Sequence, residues 1–248
     1  SRDPMRELLS HARSVLILIP WLLLATLVMG LISFFCSFFD STGRLQHKVA
    51  VTWARMLLAV FQVKVDVIGA DKLDPSRHYV FCSNHFSLVD TPIMFSSMPR
   101  EFRILARHGL WKIPFIGWHL NRAGHVPVNR ENPREAKKSI TRAAEKIRSG
   151  YSTLLFPEGG RTRSEEMRPF KPGAAYIAIE AGVPIVPMAI VGSRNVLAPG
   201  STHLRPGRVE LRVGEPVPTE GLKNRDAKAT IAQVQEEVRR IWNAPSWS

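Results

Sequence analysis

The spacing of apolar residues changes character once along the chain. From Val15 to Phe39 ("VLILIPWLLLATLVMGLISFFCSFF") 25 consecutive positions carry no charge. As a helix this run reaches about 37 Å, enough to cross a hydrocarbon core of roughly 30 Å. It is too long for the apolar part of a signal peptide, and no A-x-A site follows it. After the turn-like Asp40-Ser41-Thr42-Gly43 a second helix is expected over 44–62. Its polar positions, Arg44, Lys48, Thr52, Arg55 and Gln62, recur at steps of three, four and seven and form one stripe. Val51, Trp53, Leu57, Leu58 and Phe61 fill the rest. Such a helix suits the head-group level of a membrane. The same pattern also fits a helix packed on a globular domain with its stripe in water. The expectation is a two-helix membrane anchor whose first helix either spans or re-enters one leaflet. Arg6 and Arg13 precede that helix and Arg44, Lys48 and Arg55 follow it, so its orientation stays open.

From residue 63 the period shortens. Strands are expected at Val63–Ile68, Tyr79–Cys82, Arg103–Ala106, His125–Val128, Thr153–Phe156, Ile185–Val191 and Val209–Val213, rich in Val, Ile and Leu and bounded by Gly or Pro. Asn132-Pro133 opens a helix as cap and first residue, with Ala136, Ile140, Ala143, Ala144 and Ile147 inward and Gly150 at its end. A second runs over 226–242 with Ile231, Val234, Val238 and Ile241 inward. Strands alternating with helices predict an α/β fold, a mixed and largely parallel sheet flanked by helices behind the N-terminal anchor. Ligand sites in such sheets lie at the carboxyl ends of strands.

Charge narrows the partners. The formal net charge is +13, which favours an anionic partner such as acidic lipid head groups or a phosphorylated substrate. No zinc-finger spacing, RNP aromatic pattern or basic-region heptad is present, so nucleic acid is not expected. Cys36 and Cys82 sit in apolar surroundings outside any ligand spacing and read as small hydrophobes in a reducing compartment. There is no internal repeat. Ser1-Arg2-Asp3-Pro4 ahead of Met5 reads as an expression scar over 1–4, followed by anchoring helices over 5–62 and one globular domain over 63–248.

The candidate chemistry lies just after strands. In "FCSNHFSLVD" (81–90) His85 stands at a strand mouth with Asp90 five residues on. On a continuous helix these two would point about 140° apart, so the pair requires a turn between them; Thr91-Pro92 offers a helix start there. "GHVPVNR" (124–130) ends in Asn129 and Arg130, and "LLFPEGGRTRS" (154–164) carries Glu158, Gly159, Gly160, Arg161 and Arg163. Glycines allow close backbone approach and an arginine offers a forked donor, so these loops together point to a phosphate site.

These residues together resemble the glycerolipid acyltransferase family, whose best-known members acylate 1-acylglycerol-3-phosphate to phosphatidic acid. Its His-x-x-x-x-Asp motif is matched by His85 and Asp90, preceded by Asn84. A second motif, usually Phe-Ile-Asp-Arg, is matched by Pro127-Val128-Asn129-Arg130 with Pro for Phe and Asn for Asp. A third, Phe-Pro-Glu-Gly-Thr-Arg, is matched by Phe156 to Arg161 with Gly160 in place of Thr. The fourth, Val-Pro-Ile-Val-Pro, is matched at 183–187. The similarity covers about residues 63–215, and in "ILARHGLWKIPFIGW" (104–118) Arg107 stands where the family tends to have lysine.

The resemblance implies phospholipid biosynthesis by an O-acyltransferase that moves a fatty acyl group from a thioester to the acceptor hydroxyl. A neutral histidine suits the deprotonation of that hydroxyl, and a carboxylate on its other nitrogen fixes the tautomer. His85 is thus the expected general base and Asp90 its orienter. Glu158, Gly159, Gly160, Arg161, Arg130 and Arg107 are expected to bind or position the phosphate end, and the strand of Pro187 to line the acyl region. Neither a cofactor nor a metal is expected. The expected partners are a lysophospholipid acceptor, an acyl-CoA or acyl carrier protein donor, and anionic membrane lipids. The expected place is the cytoplasmic face of the inner or plasma membrane. Another lysolipid or a glycerol-3-phosphate-type acceptor stays open, as does a non-catalytic basic module on anionic membrane. No G-x-S-x-G elbow or H-E-x-x-H site points to a serine hydrolase or zincin.

Overall fold

A computed structural model describes residues 4–98, 100–129, 132–161, 164 and 166–245. Seven strands form one sheet in the order β1-β7-β6-β2-β5-β3-β4. They are β1 (Val63–Ile68), β2 (Val80–Ser83), β3 (Phe102–Arg107), β4 (Val126–Val128), β5 (Ser152–Leu155), β6 (Ile185–Val191) and β7 (Gly207–Val213). Every pairing is parallel except β6 with β7. All seven expected strands form, with ends within two residues of those read from the sequence.

Side chains alternate across a strand, so each strand feeds two cores. Phe81 belongs to one and its neighbours Val80 and Cys82 to the other. Helices Pro133–Arg148, Gly173–Ala181 and Ala227–Asn243 cover the second core. The Asn132 carboxamide caps the first of these, accepting from the N–H groups of Arg134 and Glu135. Helix Asp90–Ser97 covers the first core together with the N-terminal helices.

The N-terminal helix, Pro4–Cys36, is long and apolar enough to cross a membrane by length and composition. It is continuous apart from a π turn at Ser14–Leu18. One side lies on the domain. Ser14, Leu18, Ala25, Gly30 and Ser33 are buried, while Leu16, Leu23, Leu24, Phe35 and others along the run are exposed. Gly30 permits this contact, since a Cβ there would stand 3.1 Å from the Cβ of Phe115.

Helix Arg44–Val60 presents its predicted stripe outward: Arg44, Lys48, Thr52 and Arg55 are exposed. Its apolar side, with Ala50, Ala54, Leu57 and Leu58, belongs to the same core as Phe81 and Met188. The expected division at residue 63 therefore falls inside one packed core. An apolar stripe is equally satisfied by lipid or by a sheet face, and here the sheet face takes it.

Candidate active site

β2 ends at Ser83 and the chain turns before the next helix. Two bonds hold that turn to β6: Asn84, fully buried, donates from Nδ2 to the Ile190 carbonyl (3.0 Å) and accepts from its N–H (2.7 Å). Ser87 Oγ donates to the Leu197 carbonyl at 2.7 Å. The helix opens at Asp90, one residue earlier than Thr91-Pro92 implied, and no side chain caps it. Asp90 is instead drawn back over the turn. Its Oδ2 accepts from the Phe86 N–H (2.8 Å), the Ser87 N–H (2.7 Å) and His85 Nδ1 (2.9 Å).

A carboxylate only accepts, so the His85 Nδ1 must carry the proton and Nε2 is left as the basic nitrogen. Asp90 is fully buried whereas the His85 side chain is 16% exposed. The imidazole lies flat on Phe156, with ring centroids 4.1 Å apart and planes 14° from parallel. The pair is thus fixed in tautomer by one contact and in orientation by another.

His85 opens into a cavity of 590 Å³. Leu154 and Phe156 of the sheet side, Phe95 and Leu88 beside the histidine, and Trp53 and Met29 of the N-terminal helices line its apolar walls. Arg107, Gly159, Gly160 and Arg161 also line it. Arg107 and Arg161 are exposed, and no ion pair joins Arg161 to Glu158. Gly159 has φ +83, which a side chain would strain, whereas a Cβ on Gly160 would meet nothing within 4 Å.

Two expected site residues stand elsewhere. Glu158 is 3% exposed and does not line the cavity; its Oε1 accepts from the His85 N–H (2.7 Å) and its Oε2 from the Arg168 N–H (3.0 Å). Burial pushes its carboxyl above the usual range, against the pull of those two N–H groups. Pro187 is buried in β6 on the far side of the sheet. Val186 and Met188 face the core next to the cavity, so Pro187 shares the opposite face with Ile185 and Ala189 and rests on Gly214. Arg130 and Arg163 lie outside the described residues, while Asn129 ends the described part of its loop.

A histidine group deeper in the cavity had no signal in the sequence. His119 Nδ1 lies 2.7 Å from Ser33 Oγ, and His125 Nδ1 accepts from the Ile104 N–H at 3.0 Å. Burial, then His47 and Arg103, hold His119 down to about 4; burial, then Arg103, do the same for His47. His125 is lowered well below 6.5, again mainly by burial. His47 lies between Gln46 and Lys48, and His119 and His125 each lie beside apolar residues, so only the fold brings the three together. Phe156 was legible as the end of a strand and the start of the third motif, but not as the ring on which His85 lies. Among the described residues no cluster of His, Cys, Asp and Glu is arranged to hold a metal.

The chain is similar to known proteins in sequence and in fold. The Acyltransferase family model matches residues 64–191. A chloroplastic 1-acyl-sn-glycerol-3-phosphate acyltransferase of Brassica napus is 33% identical over 74% of this chain and 54% of its own length. One from Chlamydomonas reinhardtii is 34% identical over 79% of this chain and 58% of its own. The chain thus spans just over half the length of these relatives. The crystal structure of the 1-acyl-sn-glycerophosphate acyltransferase PlsC from Thermotoga maritima superposes with a TM-score of 0.74 at 24% identity, covering 98% of both chains, a likeness of fold.

Proposed function

The chain belongs to the Acyltransferase family, and from that premise we propose that it acylates the free hydroxyl of 1-acylglycerol-3-phosphate, giving phosphatidic acid. The observation that carries the reading is the His85–Asp90 contact at the mouth of an apolar cavity that Arg107 and Arg161 also line. His85 Nε2 takes the proton of the acceptor hydroxyl as its oxygen attacks the thioester carbonyl. Asp90 stabilises the imidazolium that forms. The proton then passes to the departing thiolate. Arg161 and Arg107, with Arg130, hold the phosphate, and the apolar cavity holds acyl chain. The names of the relatives support this acceptor.

The protein associates with membrane through its apolar N-terminal helix. The outward row of that helix, with Leu16, Leu23 and Phe35, sits in one leaflet on the cytoplasmic side, where the acceptor resides. Anionic lipids attract the exposed Arg44, Lys48 and Arg55.

The test is turnover of the purified protein with 1-acylglycerol-3-phosphate, other lysolipids and glycerol-3-phosphate, each with acyl-CoA and with acyl carrier protein thioester. Preference for the first acceptor, lost in His85→Ala, supports the reading. Transfer to none of them, with vesicle binding intact, would make the protein a non-catalytic membrane module instead.

A further inference from the structure

Residues 157–161 leave the end of β5, and residues 166–171 return to helix Gly173–Ala181; several bonds close the base of this loop. The Lys171 N–H donates to the Pro157 carbonyl at 2.9 Å. Buried Gln235 clamps the returning strand of the loop, accepting from the Phe170 N–H and donating to the Arg168 carbonyl, both at 3.0 Å. Arg161 sits on the outgoing part, at the cavity. The turn that carries His85 has its own ties, to Ile190 and Leu197 and through Asp90. This turn is joined to the loop by the His85 N–H, which donates to Glu158 Oε1 at 2.7 Å.

We propose that Glu158 is a positioning residue, whose carboxylate couples the His85 turn to the Arg161 loop and so sets the base relative to the acceptor's phosphate. This rests on the acyl-transfer reading above and assigns Glu158 a part different from phosphate contact. Both oxygens are engaged by backbone donors, one from each segment, and the group is withdrawn from the cavity. A phosphate would also repel it. The arrangement requires a carboxylate, because both oxygens must accept. An amide has a single acceptor oxygen, and its NH₂ would face an N–H at the other position. A protonated carboxyl has the same defect. The coupling therefore holds only while Glu158 is ionised, and burial raises that ionisation above the ordinary carboxylate value.

The experiment measures kcat, both KM values and the acid limb of kcat/KM for the full-length wild type, Glu158→Gln and Glu158→Asp in detergent-dispersed 1-acylglycerol-3-phosphate, with the thioester that supports turnover. Glu158→Gln is expected to lower kcat by about tenfold or more and to raise the acceptor KM, leaving the donor KM unchanged. The limiting slope of its acid limb should be one unit shallower than that of the wild type, since one required ionisation is gone. Wild-type kcat, a rise in acceptor KM alone, or an unchanged slope would overturn the proposal. Should Glu158→Gln fail to fold, Glu158→Asp decides: it keeps the wild-type slope but reaches only one partner, so kcat falls. An Asp variant with wild-type kcat would overturn it too. A wild type without transfer to any lysolipid would instead overturn the proposed function.

Discussion

Ser14 and Leu204, 190 residues apart in sequence, exchange two hydrogen bonds: Ser14 Oγ donates to the Leu204 carbonyl (3.0 Å) and accepts from its N–H (3.1 Å). Further along the same helix Thr26 Oγ1 accepts from Trp53 Nε1 at 3.1 Å, and Ser33 meets His119. The apolar helix is thus tied to the domain near both ends. A spanning helix would have to break these ties, leaving buried polar groups unpaired at about 1–3 kcal/mol each. Cysteines at Leu9 and at Phe38, both exposed, should therefore react from the same side of a sealed vesicle with an impermeant thiol reagent, in a Cys36→Ser background. Labelling of one end only would mean that the helix spans.

A chain beginning at Val63 should not fold. It lacks Ala54, Leu57, Leu58 and Phe61, all at most 5% exposed in the core beside the sheet. Full burial of Leu or Phe is worth about 1.5–3 kcal/mol each, and a domain's net stability is only about 5–15 kcal/mol. Beginning at Thr42 keeps those residues and should retain a cooperative, lower melt. A sharp melting transition in the shorter chain would contradict this.

The two members of the His85–Asp90 pair should fail differently. His85→Ala should lower turnover by on the order of 10² to 10⁴ with little change in melting temperature, because the side chain is partly exposed. Asp90→Ala removes the acceptor of the Phe86 and Ser87 N–H groups as well, so it should also destabilise by about 1–3 kcal/mol for each group left unpaired. Melting curves beside turnover separate the two, and equal melting temperatures would show that the turn survives without its carboxylate.

Most of the sheet was legible because its strands are short apolar runs punctuated by Gly and Pro, and a period of two or continuous burial marks them regardless of context. The strand-end position of His85 followed from the same pattern. What escaped needed the third dimension. Helix Arg44–Val60 carries one apolar side, and nothing in that side says whether lipid or sheet will cover it. Pro187 lies in a motif, yet strand parity turns it away from the cavity. Glu158 precedes two glycines and reads as a loop carboxylate; only its two backbone partners reveal it as a tie.

Acid should destabilise the fold between about pH 6.5 and 4 through His47. Its folded value is lowered from 6.5 to about 4, mainly by burial and secondly by the charge of Arg103. The unfolded chain therefore takes up the proton first, so this stability is present above pH 6.5 and is lost as pH falls to about 4, a change of roughly 3 kcal/mol at most. The Nδ1 of His47 is buried without a hydrogen-bond partner. His47→Leu should therefore be tolerated at neutral pH and should flatten the dependence of melting temperature on pH in this window. An unflattened curve would assign the acid lability to other groups.

Arg161→Ala should weaken acceptor binding far more than donor binding, and without loss of stability. Arg161 lines the cavity just after Gly159 and Gly160, and its guanidinium is exposed rather than engaged with Glu158, whose oxygens both serve backbone N–H groups. Among the described residues no hydrogen bond or ion pair engages the side chain, so it is available to a phosphate. Charge-assisted bonds of this type contribute roughly 1.5–3 kcal/mol each, and losing about 3 kcal/mol raises an apparent constant on the order of a hundredfold. Arg161→Lys should restore only part of the affinity, since an ammonium lacks the planar fork. Gly160→Thr offers a control from the opposite direction. A Cβ there meets nothing within 4 Å, so an added hydroxyl beside Arg161 should be accepted without loss of melting temperature and should lower the acceptor KM. Steady-state kinetics for both substrates, run beside melting curves, test all three variants. An equal rise in both constants for Arg161→Ala, or a large drop in its melting temperature, would make Arg161 a brace of the loop rather than a phosphate ligand.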